Sequence, residues 1–416
     1  MSAPGEVAGA LLPYRAHVEE LREILSRQGS LGLLLIDTSS LAQIEHQYGT
    51  SAFEKVMLTA RELVLGLKGQ AVRQEDIVCV CDHGGDSFLV FFSPSREQGQ
   101  PRIAALRRAA EQVEAHFNRK LARLASPYIG TLRRLGVGYA LAFYNPLVMP
   151  ERAIARLVEE AWSCVHVLRA QRKLQNRCDL QEVLLADQIT TVFQPILGLR
   201  RRNVLGFEAL SRGPAASFYH MPARLFELAE EADLVFELDR TCRRQAFASC
   251  QQLPADAKMF LNVLPSALYD PEFQGAELVR TLESHGLRAG RVVLEITERS
   301  AIENYDLFAA AIRELSELGF AFAVDDVGAG YSGLEKIARL EPRYLKFDRE
   351  LVRSIDSSYI RREMTRALKA FADRIGSTII AEGIETEGEL ATLLELGIEY
   401  GQGFLLGRPA AGFPGA

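Results

Sequence analysis

A chain of 416 residues exceeds what one ordinary hydrophobic core serves, so two domains are expected. Hydrophobic residues make up 48% and charged residues 25%, a balance that excludes a disordered chain. The net charge of −6 gives no global pull on a nucleic acid polymer or an anionic membrane, so an anionic ligand needs a local source of positive charge. The six cysteines lack zinc-type spacing, and there is no secretory h-region or long apolar run. The expectation is a cytoplasmic protein without a membrane span.

In chain order, residues 10–27 have helical periodicity, and 1–28 are read as a helical lead-in. An α/β unit follows. Its strand GLLLID ends at Asp37, a helical stretch runs to about residue 67, and the runs DIVCVCDH and DSFLVFFS flank Gly84-Gly85 as a hairpin. A helix from about 102, the strand LGVGYALAFY and a helix from about 151 complete the unit. Residues 152–187 read as almost continuous helix, with 173–188 a connector that acts either as a stiff lever or as an ordinary packed helix.

From Thr190 the chain alternates between strand-like and helical runs. Strands are expected near 190–196, 203–210, 258–263, 291–296, 320–325, 343–347, 377–381 and 400–405. Eight such units in about 225 residues fit a TIM-like (β/α)₈ barrel over 189–416. The first connection, LGLRRRN, is too short for a helix and implies an antiparallel first strand pair.

Glu208, Asn262, Glu295, Asp325, Asp326, Lys346 and Glu382 each fall at the end of one of these apolar runs, where barrel active sites lie. Six of them are oxygen-ligand types suited to a hard divalent cation. Glu208, Asn262, Glu295 and Asp325 are placed to ring one metal; Asp325, Asp326 and Glu382 are placed to hold a second. Paired cations roughly 3.5–4 Å apart activate water and neutralise phosphoryl oxygens, which points to phosphate-ester chemistry. Lys346 then fixes the water or stabilises the transition state, and Asp326 or Glu382 takes the proton. Any one of these acids alone is better explained as a helix N-cap or as the partner of an arginine. Their recurrence on successive strands is what argues for a site. Gly328, Gly330 and Gly333 follow the Asp pair in a pliable loop.

These residues resemble a known family. Gln194-Pro195-Ile196, Glu208-Ala209-Leu210-Ser211-Arg212, Asn262, Glu295-Ile296-Thr297-Glu298, the run DDVGAGYSG, Lys346-Phe347-Asp348, Ala381-Glu382-Gly383-Ile384-Glu385 and Gln402-Gly403-Phe404 are similar to the motifs of EAL-domain cyclic di-GMP phosphodiesterases. The resemblance covers about residues 186–410 and implies hydrolysis of cyclic di-GMP to linear pGpG with two Mg²⁺ or Mn²⁺ ions. It implies metal binding by Glu208, Asn262, Glu295, Asp325, Asp326 and Glu382, and contact of Lys346 with the catalytic water. It also implies substrate contact or site support by Gln194, Arg212, Glu385 and Gln402, loop support by Glu298, and a homodimer.

Residues 29–172 resemble a damaged GGDEF diguanylate cyclase, of nucleotidyl-cyclase-like α/β fold. Asp37, Gly84, Gly85 and Asp86 match, but Ser87 stands where the motif has Glu, Glu45 and His46 replace guanine-reading residues, and His166 stands where a phosphate-binding Lys is usual. The resemblance implies a noncatalytic regulatory domain that takes a protein partner or an allosteric ligand. Arg73-x-x-Asp76 has the spacing of an inhibitory-site motif, displaced by two residues. Two alternatives remain at this stage: an effector that binds cyclic di-GMP without turnover, and a cyclase or bifunctional enzyme, against which Ser87 counts.

Overall fold

The structure, a computed structural model, describes residues 11–42, 44–45, 49–69, 72–81, 87–92, 103–124, 135–328 and 333–414, the side chains of 121–124 excepted. It divides into two compact units, Met1–Gln175 and Asn176–Ala416. No helix among the described residues is long and apolar enough to cross a membrane.

The first unit holds β1 (Ser30–Asp37), β2 (Ile77–Val80), β3 (Ser87–Phe92) and β4 (Gly136–Phe143) in one antiparallel sheet of order β2-β3-β1-β4. Every residue of β1 is buried, so its alternating side chains feed two apolar layers. Leu31, Leu33 and Leu35 pack with Leu21 and Leu25 of helix Val18–Gln28 and with Leu157 and Ala161 of helix Pro150–Leu185. Leu34 and Ile36 face Val56 and Ala60 of helix Thr50–Leu65 and Val113 and Phe117 of helix Ile103–Leu124. A Cβ at Gly138 would lie 2.2 Å from the Ala161 carbonyl oxygen, so only glycine lets Pro150–Leu185 seat this closely on β4. β2 and β3 pair antiparallel from Ile77↔Phe91 to Val80↔Phe88. Gly84, Gly85, Asp86 and His46 lie outside the described residues.

The second unit is a closed eight-stranded barrel: β5 (Thr190–Gly198), β6 (Val204–Arg212), β7 (Lys258–Asn262), β8 (Val292–Thr297), β9 (Ala321–Val327), β10 (Tyr344–Phe347), β11 (Thr378–Ala381) and β12 (Tyr400–Gly401). β5 runs antiparallel to both of its neighbours, β6 and β12, and the remaining pairs are parallel. Inward-facing Ile196, Phe260, Val293, Ala323, Tyr344 and Ile380 fill the barrel, while a larger apolar layer joins the strands to the surrounding helices. β12 is shorter than the run 400–405 proposed for it. After Gly401 the backbone turns back on the loop after β11, with Ile384 N donating to the Gln402 carbonyl and Leu405 N to that of Ile384.

Candidate metal centre

The barrel rim assembles around one lysine. Lys346 on β10 is fully buried, and its ammonium lies 2.8 Å from Glu295 Oε1, 2.8 Å from Glu382 Oε1, 3.3 Å from Asp325 Oδ2 and 3.5 Å from Glu208 Oε2. Four separate strands or strand ends supply those acids, as the sequence pattern requires. Glu208, however, sits mid-strand rather than at a tip. The β5–β6 ladder continues past it to Thr190↔Arg212, because two antiparallel strands extend beyond the parallel part of the barrel.

Amides orient Glu208. Asn262 Nδ2 donates to its Oε1 at 3.1 Å, and Gln402 Nε2 donates to its Oε2 at 2.7 Å. Gln402 Nε2 also lies 2.9 Å from Gln194 Oε1, and Gln194 Nε2 donates to the Gly407 carbonyl at 3.0 Å. Thus Gln194, Glu208, Asn262 and Gln402 form one polar chain. Arg212 is half-buried at the end of β6; burial lowers its guanidinium pKa, opposed by the charge of Glu208. Glu385 enters only through its backbone, whose N–H donates to Glu389.

Asp325 and Asp326 do not continue as an extended pair. Asp326 has φ +58°, a left-handed conformation uncommon for a residue with a side chain. Its N–H donates to Asp325 Oδ1 at 2.9 Å, and both carboxylates come within reach of Glu382. The glycine-rich loop begins at Gly328, whose N–H donates to Glu298 Oε2 at 3.0 Å. Ala329 and Gly330 lie outside the described residues.

Electrostatics test whether cations fit here. Glu208, Glu295, Asp325, Asp326 and Glu382 set five carboxylates against one ammonium, a deficit that divalent cations would cancel. Burial raises the pKa values of Glu295 and Glu382 well above the ordinary carboxylate range and raises that of Asp325, with neighbouring acids adding to each. Asp326 is pushed up to about 6 by burial, then by Asp325 and Asp348. Burial works against the Lys346 charge, but the surrounding acids outweigh it and hold the group well above an ordinary lysine. Neither Glu295 oxygen has a well-directed hydrogen bond, even with the ammonium close to one of them. Oxygens of Glu208, Glu295 and Asp325 lie within 4.8 Å of one another, as do those of Asp325, Asp326 and Glu382. The donor set is all oxygen, which suits a hard cation.

A family model described as the EAL domain matches residues 177–409. The chain belongs to the EAL domain family. Among its curated relatives, the cyclic di-GMP phosphodiesterase NbdA of Pseudomonas aeruginosa is 27% identical over 401 residues, covering 94% of this chain and 50% of that protein. The bifunctional diguanylate cyclase/cyclic di-GMP phosphodiesterase MucR of the same organism is 31% identical over 250 residues, covering 58% of this chain and 36% of that protein. This EAL chain therefore spans half or less of the length of either. The solved structure of the MucR phosphodiesterase in complex with c-di-GMP superposes with a TM-score of 0.52 at 28% identity, covering 56% of this chain and 97% of that one.

Two contributors to the EAL site have no role assigned from the sequence, although Asp348 stands in the Lys346-Phe347-Asp348 motif. Glu389 is buried, and its carboxylate accepts the backbone N–H groups of Ser354 (2.8 Å), Glu385 (2.9 Å) and Thr386 (3.0 Å). It thereby ties the loop that carries Glu382 and Glu385 to the turn after helix Arg349–Val352. Burial works against its charge, but these donors lower its pKa overall. The signal was available: Thr386-x-x-Glu389 is a capping box before an apolar run. The second is Asp348, which caps helix Arg349–Val352 and faces Asp326 electrostatically.

The first unit presents a different acid. Asp37, expected as a potential metal ligand, is buried beside Ser87 across the ladder and lies 2.6 Å from Arg169 Nη1. Its other oxygen accepts the Ser39 N–H at 2.9 Å. Its charge is thus met by a guanidinium. His166 is exposed and stacks on Trp162, and Asp76 accepts the Arg73 N–H at 2.8 Å in a local turn.

Proposed function

We propose that the EAL domain hydrolyses one phosphodiester of cyclic di-GMP to linear 5′-pGpG, using two Mg²⁺ or Mn²⁺ ions. The observation that carries this is the uncompensated ring of acids around buried Lys346 at the rim of a closed barrel. In this reading Glu208, Asn262, Glu295 and Asp325 hold one cation, and Asp325, Asp326 and Glu382 the other. When bound, the cations supply water activation near neutral pH and neutralise the phosphoryl oxygens.

The protein's own groups divide the remaining work. Lys346 donates to the attacking water and holds it against phosphorus. As the water oxygen bonds to phosphorus, the P–O3′ bond breaks and the 3′ oxygen leaves as a hydroxyl after protonation. Asp326 or Glu382 accepts the water's proton, and that proton is returned to the leaving 3′ oxygen. Gln194, Arg212, Glu385 and Gln402 contact the nucleotide or brace the site. The first unit is a noncatalytic, regulatory GGDEF-like domain open to a protein partner or an allosteric ligand, and the protein works as a homodimer.

Incubation of the protein with cyclic di-GMP and Mg²⁺ or Mn²⁺ should yield pGpG. Absence of product with either ion sinks the proposal; tight binding without turnover would replace it with a cyclic di-GMP effector.

A further inference from the structure

We propose, on the reading of Glu208 as a cation ligand, that the segment Gly407–Phe413 is a clamp that sets the position of that carboxylate, with Phe413 its positioning residue. Gln194 and Glu208 stand opposite each other in the β5–β6 ladder, and both reach Gln402 inside the barrel. Neighbouring residues of a strand point to opposite faces, so Phe193 and Phe207, each one residue before a member of this pair, face outward. Both are buried in the apolar layer outside the strands. Each later pair of consecutive barrel strands has at least one helix between its members to feed that layer. Residues 199–203, which join β5 to β6, hold none, and this leaves room for cover from another part of the chain.

Gly407–Phe413 supplies cover and touches the pair from three directions. The Gly407 carbonyl accepts Gln194 Nε2 at 3.0 Å. Along the strand edge, Ala410 and Phe193 exchange backbone hydrogen bonds of 2.8 and 3.1 Å, beyond the last rung that β12 offers, Gly401↔Leu197. On the outer side the Phe413 ring lies 4.4 Å from the ring of Phe193 and 5.1 Å from that of Phe207, tilted on the first and edge-on to the second. Phe207 and Glu208 share a peptide bond, whose planarity couples the two residues. A ring that fixes Phe207 on the outside therefore fixes the stretch of backbone from which the Glu208 carboxylate projects on the inside. The amides of Asn262 and Gln402 aim that carboxylate only while the strand beneath it stays in place.

The test titrates the full chain with Mn²⁺ by calorimetry and follows pGpG formation across a Mg²⁺ series. Phe413→Ala should weaken Mn²⁺ binding about tenfold and raise the half-saturating Mg²⁺ concentration by a similar factor, as expected when the support of a metal ligand is removed. A packing defect alone would instead lower the active fraction at every Mg²⁺ concentration and leave the half-saturation point where it was. Phe413→Tyr, which keeps the ring, should restore wild-type values. If Phe413→Ala fails to fold, the milder Phe413→Leu should shift both quantities in the same direction. Unchanged Mn²⁺ affinity and half-saturation in the folded variant overturn the clamp while leaving the metal reading intact, and so does a Phe413→Tyr shift as large as that of alanine. Wild type that binds no Mn²⁺ overturns both.

Discussion

Both units bury a carboxylate at or beside the end of a β-strand, and they neutralise it in opposite ways. Asp37 in the first unit has one guanidinium, Arg169, at 2.6 Å. In the barrel, five acids share a single ammonium. Elsewhere in the barrel unit a network resembles the first case: Arg240 and Arg243 hold Asp270, Arg243 also holds Asp239, and Arg240 reaches the exposed Glu272 at 3.9 Å, so the two buried anions are met by two cations. A balanced pair is a structural element that needs nothing further. An unbalanced cluster folds at a cost that an ion or a proton must offset, and it is there that chemistry is expected.

The sharpest way to break this comparison is to remove an acid from the ring. Glu208→Ala should lower turnover by about 10³-fold or more while leaving the circular dichroism spectrum intact; retained activity would refute its role. Next, Lys346→Ala removes the counter-charge at the centre of the ring. In chelator its melting temperature should drop by several degrees, a loss of about 3 kcal/mol, and saturating Mg²⁺ should restore most of it. No recovery with Mg²⁺ would mean that the ring does not take the cation.

Asp270→Asn breaks a balanced network and should cost about 3 kcal/mol that Mg²⁺ does not restore, read by thermal melts in both conditions. The Asp270 pKa is lowered to about 2, because the two arginines and the Glu272 N–H outweigh its burial. The unfolded chain therefore holds that proton at higher pH than the folded one. The stabilisation is fully present above about pH 4 and is lost as pH falls toward 2. Glu389→Ala should reduce kcat by about 10–100-fold, with the loss appearing in Mg²⁺ affinity as well, since it frees the loop of Glu382. The smallest effect on turnover belongs to Arg169→Ala, which should leave pGpG formation within about twofold while destabilising the first unit by about 1–2 kcal/mol.

The barrel was legible because its strands are short apolar runs with helical patterns between most of them, and because each acid interrupts such a run. Residues Glu208, Glu295, Asp325, Lys346 and Glu382 could be found by that rule alone. The rule could not place Glu208 mid-strand, since strand length depends on the antiparallel partner that extends it. Nor does it carry any signal for the left-handed φ of Asp326. Arg169 was invisible for a different reason. It reaches Asp37 across more than a hundred residues, and one arginine among many on a helix carries no local signal. Glu389 lay in plain view as a capping box, but its third bond, to Ser354, is a tertiary contact.

The shortness of β12 has a mechanical side. Two residues give this sheet little backbone ladder at the place where the circle closes. Backbone bonds outside the strand add to it, from Leu199 N–H to the Glu399 carbonyl, from Gln402 N–H to the Ala381 carbonyl and in both directions between Phe193 and Ala410. Side chains complete it, with Gln402 reaching Gln194 and Glu208, and Gln194 reaching the Gly407 carbonyl. The same amides that aim Glu208 therefore also fasten the barrel. Amide hydrogen exchange should be fastest along this closure, and it should slow whenever something bound at the rim holds Glu208 still.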